Sequence, residues 1–188
     1  MLTNKTEEEF KVLKAESKSP YTAIELFAGA GGTALGFENA GIQHTLLNEI
    51  DKNCVATLQH NFPKGTNIIQ ADVHNVDFAP WKGKVDIVQA GFPCQAFSYA
   101  GKSMGFEDTR GTLFFEFARC VKETLPKIAV GENVKGLLKH DNGRTLKTMV
   151  NALKEIGYNV QYRVLRAQYL DVPQNRERLI IIAIRNDL

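Results

Sequence analysis

Short apolar runs alternate with glycine-, asparagine- and aspartate-rich breaks along the chain, and their spacing predicts strands and helices in turn. Thr22 to Phe27 reads as a first strand, broken by Ala28-Gly29-Ala30-Gly31-Gly32. A helix follows from Thr33 to Asn39, closed by Gly41. His44 to Asn48 is a second strand ending in Glu49, after which Asp51 caps a helix from Lys52 to Asn61, with Pro63 beyond its end. Ile68-Ile69 is a short third strand followed by Asp72, and Val85 to Gln89 is a fourth, buried one. Leu113, Phe114, Phe117 and Val121 share one face of a helix over Thr112 to Leu125.

Lys127 to Val130 is a fifth strand that ends at Glu132-Asn133-Val134. After the turn at Asp141-Asn142-Gly143, Leu146, Met149, Val150 and Leu153 line a helix closed by Gly157. Val160 to Leu165 and Leu179 to Ile184 are strands with no helical segment between them, so they pair as an antiparallel hairpin. The alternation implies an α/β fold: a Rossmann-like doubly wound sheet, mostly parallel, with an antiparallel last strand. Residues 1–20 read as an N-terminal arm or short helix, with Thr6 and Glu9 as a capping pair and Phe10 and Leu13 on one face. Residues 21–188 form one domain.

Composition narrows the setting. A 44% hydrophobic and 23% charged chain is that of a globular domain, and no apolar run reaches the length of a membrane span. The polar start, with Glu7-Glu8-Glu9, is unlike a secretory signal. Three widely spaced cysteines form neither a disulfide framework nor a metal site, so a reducing cytoplasm is expected and no metal. Cys54 and Cys120 fall on helices and read as packing residues. The net charge of +2 is too mild to identify a nucleic-acid binder.

The chemistry gathers in loops after strands, where open α/β sheets bind ligands. The strand, glycine turn and helix around Gly29, Gly31 and Gly32 suit either a dinucleotide or S-adenosylmethionine. Glu49 lies twenty positions after Gly29, a spacing that suits an acid holding ribose hydroxyls. Ile50 would cover an adenine face and Asp72 would accept from its amine, although Glu49 also reads as a surface charge and Asp72 as a turn cap. Cys94 follows Pro93 on the loop leaving the fourth strand; alone it reads equally as a buried hydrophobe. Together, Cys94, Glu132 and the Arg176/Arg178 pair match one difficult reaction. A thiolate added to C6 of cytosine turns the ring into an enamine that can attack a methyl sulfonium at C5. A glutamic acid whose pKa is raised by burial can assist at N3, and Arg178 can grip O2. A base in a duplex must first be flipped out.

From Ile24 to Leu188 the chain resembles the catalytic domain of bacterial cytosine-C5 DNA methyltransferases. The resemblance rests on Phe27-x-Gly29-x-Gly31-Gly32, Asn48-Glu49, Asp72 and Gly91-Phe92-Pro93-Cys94-Gln95, followed by Gly105-Phe106-x-Asp108-x-Arg110-Gly111, Glu132-Asn133-Val134 and Gln174-x-Arg176-x-Arg178, in the family's order. It implies Cys94 as nucleophile, Glu132 at N3, Arg178 at the base and Arg176 at the flanking backbone. Gln95, Ser98 and Lys102 would belong to a loop that closes over DNA. Phe27, Gly29, Gly31, Gly32, Glu49, Ile50, Asp72, Val73, Pro93 and Leu113 would line the S-adenosylmethionine pocket.

Members of that family continue past the Arg-x-Arg strand into a target-recognition region and a final helix beside the cofactor site, and this chain matches neither. The expectation is therefore the catalytic half of a split restriction-modification enzyme, or a fragment, acting on duplex DNA with a second polypeptide. The alternatives are an RNA cytosine methyltransferase, an S-adenosylmethionine-binding subunit without turnover and an NAD-dependent enzyme. The last leaves Cys94, Glu132 and the arginines without a joint role.

Overall fold

The computed structural model describes residues 18–62, 65–93 and 113–188. Seven strands form one sheet in the order β3-β2-β1-β4-β5-β7-β6. They are β1 (Thr22–Leu26), β2 (Gln43–Glu49), β3 (Asn67–Gln70), β4 (Ile87–Ala90), β5 (Ile128–Val134), β6 (Tyr158–Arg166) and β7 (Glu177–Arg185). The helices are α1 (Gly32–Asn39), α2 (Lys52–Asn61), α3 (Leu113–Thr124) and α4 (Arg144–Glu155). Strands β1 to β5 pair in parallel, and β7 runs antiparallel to both β5 and β6. The mostly parallel sheet with an antiparallel last strand is thus as the sequence implies. No helix among the described residues is long and apolar enough to cross a membrane.

Strand alternation divides the core between two faces. Leu46 joins a large cluster with Ile24, Leu26, Phe114 and Phe117 of α3, and Met149 and Leu153 of α4. Its neighbour Leu47 turns the other way, into a smaller cluster with Ala34 of α1 and with Leu58 and Phe62 at α2. On β7, Leu179, Ile181 and Ala183 are buried, while Ile182 and Ile184 on the opposite face are exposed.

Asp51 caps α2 as its position before an apolar run demands, accepting from Asn53 N and Cys54 N, both at 2.9 Å. Most strand limits differ from the sequence reading by a residue or two, and the end of β5 differs by more. Val85 is buried but precedes β4; Asp86 after it accepts through its carboxylate from Thr22 N at 3.0 Å and pairs with Lys127 Nζ at 2.7 Å, while its own amide donates to Thr22 O at 3.1 Å. β5 does not stop at Val130; its pairing with β7 carries it on to the Val134↔Arg178 position.

The order reverses between β1, whose chain goes on to β2, and β4, which pairs on its other side. A crevice opens beyond the carboxyl ends of such a pair, and this is where the fold type binds ligands. The turn from Phe27 to Gly31 leaves one side of it and Gly91-Phe92-Pro93 leaves the other.

Candidate active site

The first part of the site is built on the turn after β1. Gly29 takes the left-handed conformation, φ 54°, and its amide donates to Glu49 Oε2 at 2.8 Å. Glu49 Oε1 accepts from Ile50 N at 2.8 Å and from Asp51 N at 2.9 Å. One carboxylate at the end of β2 therefore joins the β1–α1 and β2–α2 turns. Beside it the Ile50 side chain is 62% exposed. A Cβ built on Gly29 or Gly32 would meet no atom within 4 Å, so the backbone there faces open space. Gly31 is different. At φ 92° its Cβ would lie 2.6 Å from Phe62 Cε2 and 2.8 Å from Leu58 Cδ2, so this glycine serves the packing of α1 against α2. Phe27, with φ 58°, is half-buried against the main core.

Asp72 follows β3 and caps the single turn Val73–Asn75. Its Oδ1 accepts from His74 N at 3.0 Å and lies 2.6 Å from His74 Nδ1. The backbone bond first, then the side-chain contact, holds the Asp72 carboxyl below its usual range. Val73 is buried in the core, and its carbonyl accepts from Arg119 Nη2 at 2.9 Å. Two residues that sequence reasoning did not single out hold this corner. Asn48, buried beside Glu49, donates from Nδ2 to Ile69 O and Ala71 O at 3.2 and 3.0 Å. Arg119 ties α3 to the segment after Asp72 through Val73 O and Val76 O. Asn48 stood in the quoted Asn48-Glu49 pair; nothing local in the sequence marks Arg119. Carboxylates at the ends of adjacent strands, with open glycine backbone and an exposed apolar side chain between them, fit the ribose and base of an adenosine group.

The second part lies across the crevice. The β4–β5 pairing ends at Ala90↔Gly131, and Glu132 continues past it along β7. Arg178 Nε lies 2.8 Å from Glu132 Oε1, with both side chains a little under one-third exposed. Arg178 Nη1 also donates to Glu177 O at 2.8 Å. Burial is thus not what distinguishes Glu132; its setting is a guanidinium on one side and Gly91 on the other, where a Cβ would lie 3.6 Å from Oε2. Arg176 is exposed in the turn before β7, and Glu177 beside it takes Lys135 at 2.7 Å and Arg166 at 2.9 Å.

Phe92 is buried against Phe114 and Phe117, with ring centroids 5.4 and 6.0 Å away. Pro93 is exposed and Leu113, at the start of α3, is half-buried. Cys94, Gln95, Ser98 and Lys102 lie outside the described residues. Cys120 is fully buried, which pushes its thiol well up, whereas Cys54 is half-buried on α2. Among the described residues no group of three or more His, Cys, Asp or Glu side chains could hold a metal ion.

Comparison with known proteins gives a consistent result. The family model described as C-5 cytosine-specific DNA methylase matches residues 21–188. The type II methyltransferase M.Eco47II of Escherichia coli is 58% identical over 173 residues, which are 92% of this chain and 41% of that protein. M.PspPI of a Psychrobacter species is 53% identical over 177 residues, 94% of this chain and 42% of the relative. The chain therefore spans about two-fifths of the length of these relatives. Among solved structures, a triple mutant of Spodoptera frugiperda DNMT2 superposes with a TM-score of 0.72 at 26% identity, covering 89% of this chain and 51% of that one.

Proposed function

Because the chain belongs to the C-5 cytosine-specific DNA methylase family, we propose that it carries the catalytic machinery for methylating C5 of a flipped cytosine in duplex DNA. The observation that carries this reading is the Glu132–Arg178 pair, held at 2.8 Å beside Gly91, three residues before Cys94. A carboxyl group and a guanidinium placed together beside the chain that leads to a thiol are what addition to a pyrimidine needs. Residues 21–188 are the catalytic domain in this reading; the arm or short helix expected over residues 1–20 lies almost wholly outside the described residues.

S-adenosylmethionine, the cofactor of the family, supplies an electrophilic methyl group. Glu49 and Asp72 hold its adenosine part, with Gly29 and Gly32 giving close backbone approach and Ile50 covering one face of the base. Phe27, Gly31, Val73, Pro93 and Leu113 complete the walls, Gly31 and Val73 by shaping the backbone rather than by touching the ligand with a side chain.

The cytosine is extruded from the duplex, since its ring atoms are out of reach when stacked. The Cys94 thiolate forms a bond to C6 while Glu132 hydrogen-bonds or protonates N3, so that electron density moves to C5. Arg178 holds O2 and Glu132 in one frame and stabilises charge as it develops. C5 would take the methyl group as the donor's methyl–sulfur bond breaks and a neutral thioether leaves; C5 would then lose its proton to solvent, N3 would return any proton to Glu132, and the C6–sulfur bond would break to give back the thiolate. Arg176, Gln95, Ser98 and Lys102 contact the DNA around the extruded base. A second polypeptide supplies the target-recognition part, and with it much of the phosphate neutralisation that a net charge of +2 does not provide.

The test uses the chain together with its complementing polypeptide, tritiated S-adenosylmethionine and either duplex DNA or tRNA. Label should enter DNA, a covalent adduct should form on DNA containing 5-fluorocytosine, and Cys94→Ser should abolish both. Undiminished transfer by the serine variant removes Cys94 as nucleophile, and label entering tRNA alone makes the substrate RNA.

A further inference from the structure

Glu132 and Asn133 are neighbours on β5, and strand alternation sends their side chains to opposite faces. Glu132 faces the crevice. Asn133 points into the core, 3% exposed, and donates from Nδ2 to Phe92 O at 2.9 Å. Its Oδ1 accepts from Val134 N at 2.8 Å, so the amide cannot flip without losing both bonds. The chain leaving β4 thus wraps β5 at one level. Gly91 lies beside the Glu132 carboxylate on one face, and the Phe92 carbonyl is bonded to Asn133 on the other. Gly131 completes the fit, since a Cβ there would press to 3.3 Å on the Phe92 ring. A buried side-chain bond to a carbonyl two residues before Cys94 is more than packing needs, because the Phe92 ring is already held by Phe114 and Phe117.

We infer that Asn133 is a positioning residue: it fixes the Gly91-Phe92-Pro93 segment against β5, beside Glu132, and so fixes the point from which the chain goes on to Cys94. The inference rests on the reading of Cys94 and Glu132 given above. It assigns a separate task to each residue of the pair, Glu132 meeting the base and Asn133 holding the loop. Asn133 contacts neither substrate nor cofactor.

Asn133→Asp removes the donor to Phe92 O and keeps the acceptor for Val134 N; Asn133→Ser is the companion variant if a buried aspartate prevents folding. Amide hydrogen exchange of the 188-residue chain is read first. Exchange at Gly91 and Phe92 should rise about tenfold or more, with β1 and β2 amides unchanged. Methyl transfer by the same variant with the complementing polypeptide should show kcat down about ten- to a hundredfold and an unaltered KM for S-adenosylmethionine. Unchanged exchange at these amides, a rise shared equally by the whole sheet, or a lowered KM-type affinity with intact kcat each overturns the inference. If the unsubstituted protein transfers no methyl group, the methyltransferase reading fails, while the exchange comparison still decides whether Asn133 holds the segment.

Discussion

Gly29 N donates to Glu49 Oε2 at 2.8 Å, across the gap between the turns that follow β1 and β2. With Ile50 N and Asp51 N on the other oxygen, three backbone amides converge on one carboxylate. Amides aimed at a carboxylate fix its orientation. Glu49 is thereby prepared to accept from ribose hydroxyls without rearranging, since each carboxylate oxygen retains acceptor capacity.

That geometry separates Glu49→Gln from a simple loss of charge. A carboxamide offers one oxygen instead of two and presents an N–H group to amides that need an acceptor. We expect S-adenosylmethionine affinity to fall about ten- to a hundredfold, as loss of a charged hydrogen bond implies. The melting temperature should fall as well, because the two turns are no longer joined. Calorimetric titration and thermal melting of the variant read both; an unchanged dissociation constant would remove Glu49 from the cofactor site.

Gly29 and Gly31 make a second contrast. Both have positive φ, but only at Gly31 does an added Cβ strike side chains, at 2.6 Å from Phe62 and 2.8 Å from Leu58. Gly31→Ala should therefore cost about 2–4 kcal/mol of stability, from backbone strain and overpacking together. Gly29→Ala should cost about 1 kcal/mol from strain alone and weaken cofactor binding, since its Cβ enters open space. Denaturant unfolding of the two variants checks the order. Partial recovery of Gly31→Ala by Phe62→Leu would identify the Phe62 ring as the obstacle.

Much of this arrangement is legible along the chain because it is local. Asp51 before an apolar helical run announces its cap, and Leu146, Met149 and Leu153 announce the buried face of α4. The α/β alternation and the closing hairpin follow from spacing alone, and the site motifs stand at the strand ends where the topology places its crevice. What is not legible depends on partners far away in sequence. β5 runs on to Val134 because β7, more than forty residues later, pairs with it. Glu49 reads as a ribose ligand, but its bond to Gly29 N depends on the fold of the turn after β1. Asn133 looks like a motif letter until Phe92 is seen beside it.

Glu25 is the least legible of all, since an apolar strand context hides a charged group. On β1 it is 2% exposed, level with the buried Gln89 on β4, and its Oε2 lies 3.4 Å from His44 Nε2. Neither ring nitrogen of His44 nor Glu25 Oε2 makes a hydrogen bond, and Gln89 Oε1 has none either. Burial pushes the Glu25 carboxyl up, more than the nearby His44 draws it down. The folded state thus holds the proton more tightly than the unfolded chain does. Stability linked to Glu25 is fully present below the ordinary carboxyl range and is lost as pH rises through the raised folded value. Glutamine stays neutral throughout and keeps the shape, so Glu25→Gln should flatten the alkaline side of the stability profile. In mildly alkaline solution it should be the more stable protein by about 1–3 kcal/mol, the cost of a buried group left without its partner. Melting temperatures of both proteins across the pH range check this. A variant less stable than the parent at high pH would mean that the Glu25–His44 contact stabilises the buried carboxylate.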